Sequence, residues 1–161
     1  MKEIPLTKGK VALVDDEDYE WLKQSKWYAQ SSRSNFYACR KSKNQLSTQT
    51  KERMHRLIMS APDNMEVDHI NRNSLDNQRK NLRICTRSQN AMNTPKSIIN
   101  TSGYKGVIWF SRDNKWRAEI RVFGKNKHLG LYENIIDAAH AYDEAAKKYR
   151  GEFAVLNFPN S

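Results

Sequence analysis

The chain has 161 residues, with 28 Lys and Arg against 18 Asp and Glu and a formal charge of +10. That length accommodates one ordinary domain or two small ones, and 38% hydrophobic residues with a mean hydropathy of −0.89 argue against one large core. No apolar run approaches the roughly 20 residues that span a bilayer, and the opening MKEIPLTKGK lacks a secretory apolar stretch. Cys39 and Cys85, with no CxxC pair, exclude a cysteine-rich zinc site and count against a disulfide framework. The expectation is a cytoplasmic protein with two reduced thiols, buried as small hydrophobes, and a polyanionic partner: nucleic acid first, an acidic membrane surface second.

Along the N-terminal region, Lys10 to Val14 reads as a strand. The acidic cluster Asp15-Asp16-Glu17-Asp18 then opens a helix carrying Tyr19, Trp21 and Leu22. Acidic residues suit the positive end of a helix dipole, so capping explains the cluster without a metal. Trp27-Tyr28-Ala29 and Phe36-Tyr37-Ala38-Cys39 read as two strands joined by a Ser/Asn/Arg turn. Arg53 to Ser60, with Met54, Leu57 and Ile58 on one face, reads as a short helix ended by Pro62. His55 on that helix is expected to serve its packing.

The densest chemistry lies in VDHINRNSLDNQRKNLRICTRSQNAMN, residues 67–93, where Asp68 and His69 are adjacent and seven asparagines fall between 71 and 100. Phosphodiester hydrolysis needs an activated water, positive charge at the leaving oxygen and a fixed in-line geometry. A histidine titrating near neutrality can take the proton, and a hard divalent cation on carboxylate and amide oxygens can stabilise the leaving oxygen. On a regular strand, Asp68 and His69 point to opposite faces, so a kink or loop is expected to bring both to one site.

HRL at 55–57, then DHIN, NLR and QN in order, resemble the HNH nuclease motif, in the phage and intron homing-endonuclease subgroup with Asn at the last position. The resemblance implies a ββα-metal unit round one divalent ion, Mg²⁺ or Mn²⁺. It makes Asp68 a metal ligand, His69 the general base, Asn81 the residue orienting His69, and Asn90 the last ligand, with Asn93 as rival. Arg83 is then expected to contact phosphate or the scissile group.

Residues 94–103, TPKSIINTSG, have a linker composition. Beyond them Tyr104 to Phe110 reads as a strand and Ser111 to Asn114 as a turn. Lys115, Arg117, Glu119 and Arg121 then alternate with Trp116, Ala118, Ile120 and Val122, giving one charged and one apolar face. A turn over Gly124 to Lys127 leads to a third strand, His128 to Tyr132. Asn134 caps a helix to Tyr149, with Ile135, Ala138, Ala139, Tyr142, Ala145 and Ala146 on one side. His140 is expected to be structural, and Trp109 and Trp116 to pack under the helix.

YKGV at 104–107, KWRAEIR at 115–121, LGLY at 129–132, AAHAYDEAA at 138–146 and RGEFAVLNFP at 150–159 resemble the plant ethylene-response-factor DNA-binding domain. In that family the sheet lies in the major groove and the helix supports it. The resemblance implies that Arg117, Glu119 and Arg121 face DNA, flanked by Lys105, Lys115, Lys127 and His128. Ile108 and His128 replace an Arg and a Trp usual there, so the plant domain's sequence preference does not carry over.

The combined expectation is an α+β chain. A ββα-metal nuclease domain with a β-rich start spans 1–93 (core motif 53–93), a linker spans 94–103, and a three-stranded antiparallel sheet on one helix spans 104–161. The function expected is that of a metal-dependent, site-directed endonuclease of homing type, monomeric and acting on double-stranded DNA. The alternative is a non-catalytic, repressor-like DNA-binding protein with a decayed nuclease module.

Overall fold

The computed structural model describes residues 1–32, 35–43, 49–97 and 99–159. It divides into two compact units, Met1–Asn90 and Ala91–Ser161. The expected turn through Arg33 and Ser34 lies outside the described residues. Among the described residues no helix is long and apolar enough to cross a membrane. The α+β class holds, with short helices set against antiparallel sheets.

The first unit begins with a hairpin of β1 (Lys2–Pro5) and β2 (Val11–Val14), then α1 (Asp16–Leu22). Three antiparallel strands follow in the order β3 (Tyr28–Ser32), β4 (Asn35–Lys43), β5 (Gln49–Arg53). The helix α2 (Met54–Ile58) leads to the hairpin of β6 (Glu66–His69) and β7 (Leu82–Cys85), and α3 (Arg87–Met92) comes next. One core joins these pieces: Ile4, Ala12 and Val14 from the first hairpin, Leu22 and Trp27, Met54 and Ile58 from α2, and Val67 and Leu82 from the second hairpin. Alternation in β2 gives it one core face, whereas Val67, Asp68 and His69 of β6 are all buried.

The acidic cluster does more than suit a helix dipole. Asp15 occupies the N-cap position of α1 but makes no capping bond with its side chain. Its carboxylate instead accepts from the Arg79 backbone N–H at 2.7 Å and from Gln78 Nε2 at 3.1 Å. Asp18, 1% exposed, receives the Arg79 guanidinium through both oxygens, at 2.8 and 2.7 Å. Next to this, the Leu13 N–H donates to Leu75 O and the Asn77 N–H to Leu13 O, both at 2.8 Å. The loop between β6 and β7 is thereby tied to β2 and α1 by backbone and charge together.

In the second unit β8 (Val107–Phe110), β9 (Lys115–Val122) and β10 (Lys125–Tyr132) form an antiparallel sheet with β9 central, backed by α4 (Ile135–Arg150). Asn134 caps α4 as expected, its Oδ1 accepting from the Ile136 N–H at 2.8 Å. Val107, Ala118 and Ile120 pack on Ala138, Ala139, Tyr142, Ala145 and Ala146. Two elements differ from the expectation. The first strand starts at Val107 rather than Tyr104, because Gly106 turns there with φ 75°. The β9–β10 hairpin closes over only Phe123 and Gly124, since Lys125 already pairs with Val122.

Trp109 shares the helix-side parity of Val107 but is 48% exposed at the sheet edge, packed edge-on against Trp116 at 5.0 Å, and is not core. His140 stacks on Phe158 at 4.5 Å, a structural role. Asp143, 2% exposed, accepts from the backbone N–H groups of Asn157 and Phe158, both at 2.8 Å, and so straps the segment after α4 to the helix. The stretch 94–103 is not a free tether within its unit. Asn100 Nδ2 donates to Tyr104 O at 2.9 Å and the Ser102 hydroxyl to Val107 O at 2.7 Å.

Gly106 admits no side chain: a Cβ there would lie 1.9 Å from the Tyr142 ring. Gly106→Ala is expected to lower unfolding stability by about 3 kcal/mol, through overpacking and a positive φ, measured by urea denaturation.

Candidate functional site

Asp68 and His69 end β6 in unbroken register with Arg83 and Leu82, so the kink expected to bring them to one face is not there, and strand alternation sends their side chains to opposite sides. His69 is 6% exposed, with its ring edge-on to His55 at 5.0 Å and near Tyr37 at 6.3 Å. Its Nε2 lies 3.2 Å from Asn77 Oδ1. The Asn77 amide nitrogen donates to Leu75 O at 3.2 Å, which turns the amide oxygen toward the ring. An amide oxygen only accepts, so in the neutral ring the proton sits on Nε2 and the lone pair on Nδ1. Burial lowers the His69 pKa from its ordinary value, against the opposing pull of the Asn77 bond and of Asp68 and Asp76. The ring is therefore a free base at neutral pH.

Asn81 was expected to orient His69. Instead its Oδ1 accepts from the Asn71 N–H at 2.9 Å and its Nδ2 donates to Asp76 O at 2.8 Å. It braces the loop, and Asn77 meets the imidazole. Asn71 and Asn73 complete the brace: Asn71 Nδ2 donates to Asp76 at 2.7 Å, and Asn71 Oδ1 and Asn73 Oδ1 accept from the N–H groups of residues 73 and 75. Loop-borne asparagines repeat too irregularly for spacing alone to assign their partners. Only position 77 combines complete burial with reach to the ring.

On the other face, Asp68 pairs across the hairpin with Arg83, whose Nε and terminal nitrogen donate to Asp68 Oδ2 at 2.9 and 2.7 Å. Glu66 shares the Asp68 face, two residues earlier on the strand, and Asn90 Nδ2 donates to its carboxylate. Glu66 was missed in the sequence although strand parity with Asp68 could have found it. Asn93 lies just past the end of α3. Among the described residues no group of three or more His, Cys, Asp and Glu is arranged to hold a metal ion. The oxygen donors of Asp68 and Asn90, with Glu66 beside Asn90, chemically fit a hard divalent cation that fills its other positions with water or phosphate.

On the second unit's sheet, cross-strand register assigns faces. Arg117, Glu119 and Arg121 share the face away from α4 with Phe110, Asn126 and His128. Arg117 pairs with Glu119 at 3.3 Å and lies over the Phe110 ring at 5.1 Å. Lys115 is at the start of this face, 3.6 Å from Glu133. Two expected members fall elsewhere. Lys127 pairs in register with Ile120 on the helix side, and its ammonium lies 5.6 Å from the Tyr149 ring centre. Lys105 directs its ammonium to the carbonyls of Met92 and Thr94.

Residues 54–92 match the family model described as HNH endonuclease. Protein 3.8 of Escherichia phage T7 is 33% identical over 95 residues, covering 58% of this chain and 76% of that protein. The chain belongs to the HNH endonuclease family. An uncharacterized HNH endonuclease, L560, of Acanthamoeba polyphaga mimivirus is 33% identical over 113 residues, 66% of this chain and 58% of that protein. The AP2-like ethylene-responsive transcription factor TOE2 of Arabidopsis thaliana is 41% identical over 58 residues, 36% of this chain. The chain spans only 12–13% of the length of its first plant relatives, and the similarity agrees with the resemblance read from YKGV at 104–107 to RGEFAVLNFP at 150–159.

His55 is 3% exposed, and its Nδ1 has no hydrogen-bond partner among the described residues. Burial, then the neighbouring His69, Arg53 and Arg56, push its pKa down to about 3. It packs, as expected of its helix, but against His69. The unfolded chain therefore binds a proton below pH 6.5 that the folded chain refuses. Stability is complete above 6.5 and falls toward pH 3, by about 1.4 kcal/mol per pH unit for this group. His55→Phe should flatten the acid limb of unfolding free energy against pH. A limb as steep as in wild type would contradict burial of a neutral His55.

Proposed function

We propose that the chain is a metal-dependent, site-directed DNA endonuclease of homing type, in which Met1–Asn90 cuts and Ala91–Ser161 selects the site. The observation that carries the cutting role is the buried His69 imidazole, held as a free base against Asn77 Oδ1. His69 Nδ1 takes the proton of the attacking water. Asn77 keeps the other ring nitrogen protonated and the ring fixed, and Asn81 holds the loop that delivers Asn77. Asp68 and Asn90 are the ligands for a divalent ion, Mg²⁺ or Mn²⁺ by their hard oxygens. When bound, that ion supplies positive charge at the phosphate and at the leaving oxygen. Arg83, bonded to Asp68, contacts the phosphate in this reading.

The DNA-selecting role rests on the two-faced sheet. Arg117, Glu119 and Arg121 stand on one open face with Lys115 and His128, where side chains at regular intervals can read base edges of double-stranded DNA. Lys105 and Lys127 have no place in that contact. The plant relatives, named as transcription factors, support this use of the fold. A monomer with one such centre nicks one strand, and the setting is the cytoplasm of a bacterial or phage-infected cell.

His69→Ala is expected to reduce plasmid cleavage with Mg²⁺ by at least about 100-fold while DNA binding persists. Asn77→Ala should reduce cleavage less and move its pH dependence. Cleavage by His69→Ala at the wild-type rate removes the proposed base. Arg121→Ala should weaken duplex binding by about 1–3 kcal/mol with the fold intact. Unchanged affinity at physiological salt removes the central strand from the interface.

A further inference from the structure

Phe123 stands out on the second unit. It is 96% exposed, and it occupies the first position of the two-residue β9–β10 turn with φ 49°, followed by Gly124 with φ 79°. Turns with positive φ at both positions favour Asn-Gly or Asp-Gly. A bulky aromatic in the left-handed region is strained, and here no burial offsets the strain. Neither the core nor the turn calls for this side chain, so its use lies outside the folded chain.

The surroundings say what it meets. From Ile120 to Tyr132 there is no acidic residue, while Arg121, Lys125 and Lys127 are all exposed. Register sets Arg121 on the open face of the hairpin and Lys125 on the opposite face, while Lys127 is held over the Tyr149 ring. A projection with cations on both faces and an apolar tip complements a groove with phosphates on both walls and base stacks at its floor. We propose that the β9–β10 hairpin enters a groove of duplex DNA and wedges the Phe123 ring between neighbouring base pairs, unstacking them. This rests on the reading that the second unit binds duplex DNA, and it adds a deforming contact at the hairpin tip to the reading face of the sheet.

The test uses the full chain, with chelator present, on a short duplex enriched by the wild-type chain from a random pool and carrying 2-aminopurine at successive positions. Wild type should raise the fluorescence at one step, as the base leaves its stack. Phe123→Asn suits the turn, so its Tm should equal or exceed that of wild type. Its affinity should fall about tenfold, the fluorescence rise should vanish, and the slope of affinity against salt should stay unchanged because no charge is lost. Wild-type affinity for Phe123→Asn, or a persisting fluorescence rise, overturns the wedge. So does a reduced salt slope, which signals a damaged sheet, or a change of oligomeric state without DNA, which assigns Phe123 to a protein contact. If the double variant Arg117→Ala, Arg121→Ala also binds as wild type, the DNA reading of the whole unit falls. If it binds weakly while Phe123→Asn does not, the wedge alone is wrong.

Discussion

The buried carboxylate of Asp18 needs a cation, and the loop that carries Asn77 also brings Arg79 to it. A bidentate guanidinium–carboxylate pair is among the stronger polar contacts available to a protein, and a buried carboxylate left alone is costly. Asp15 adds the Arg79 backbone N–H, and Leu13 adds both of its backbone groups. The β-rich start of the chain is thereby the clamp of the loop between β6 and β7. Its strands share one core with α2 and the β6–β7 hairpin. Because the loop is fixed at Leu13 and Arg79, the side chain between them has one place to go, and that is the edge of the His69 ring.

The second unit solves a different problem with a similar economy. Alternation on β9 sends alanine and isoleucine to α4 and charge to the opposite side. The helix is built from small residues, so it can lie close. Gly106 belongs to the same close approach, since the Tyr142 ring fills the space a side chain would take. Cationic residues on the helix side, such as Lys127, are absorbed by aromatic rings and leave the open face to Arg117, Glu119 and Arg121.

Strands and helices with clear period were legible in the sequence: the helix beginning after Asn134, the central strand 115–122, the short helix after Arg53. Asp68 and His69 were singled out by the ordered set HRL, DHIN, NLR and QN, since an Asp-His pair alone is a weak signal. What was hidden depends on long-range contacts. Asn77 and Asn81 are the same residue type four positions apart, and only the fold decides which one reaches the imidazole. The acidic cluster at 15–18 satisfied a local rule for helix starts, and that local sufficiency concealed its partner some sixty residues away. Lys127 was misplaced because the hairpin turn is two residues shorter than its composition suggested, which moves every following side chain to a new register partner. Phe123 was passed over for the same reason: a turn defined by Gly and Asn excluded it.

Cys39 and Cys85 are both buried, and burial raises their thiol pKa values above the ordinary one. Thiolate is the reactive form, so both sulfurs are quiet at neutral pH. The native chain is therefore already suited to site-specific labelling. A single cysteine introduced on an exposed strand position would be the fastest-reacting thiol present, and a fluorophore or spin label could be attached there with both natural cysteines left in place.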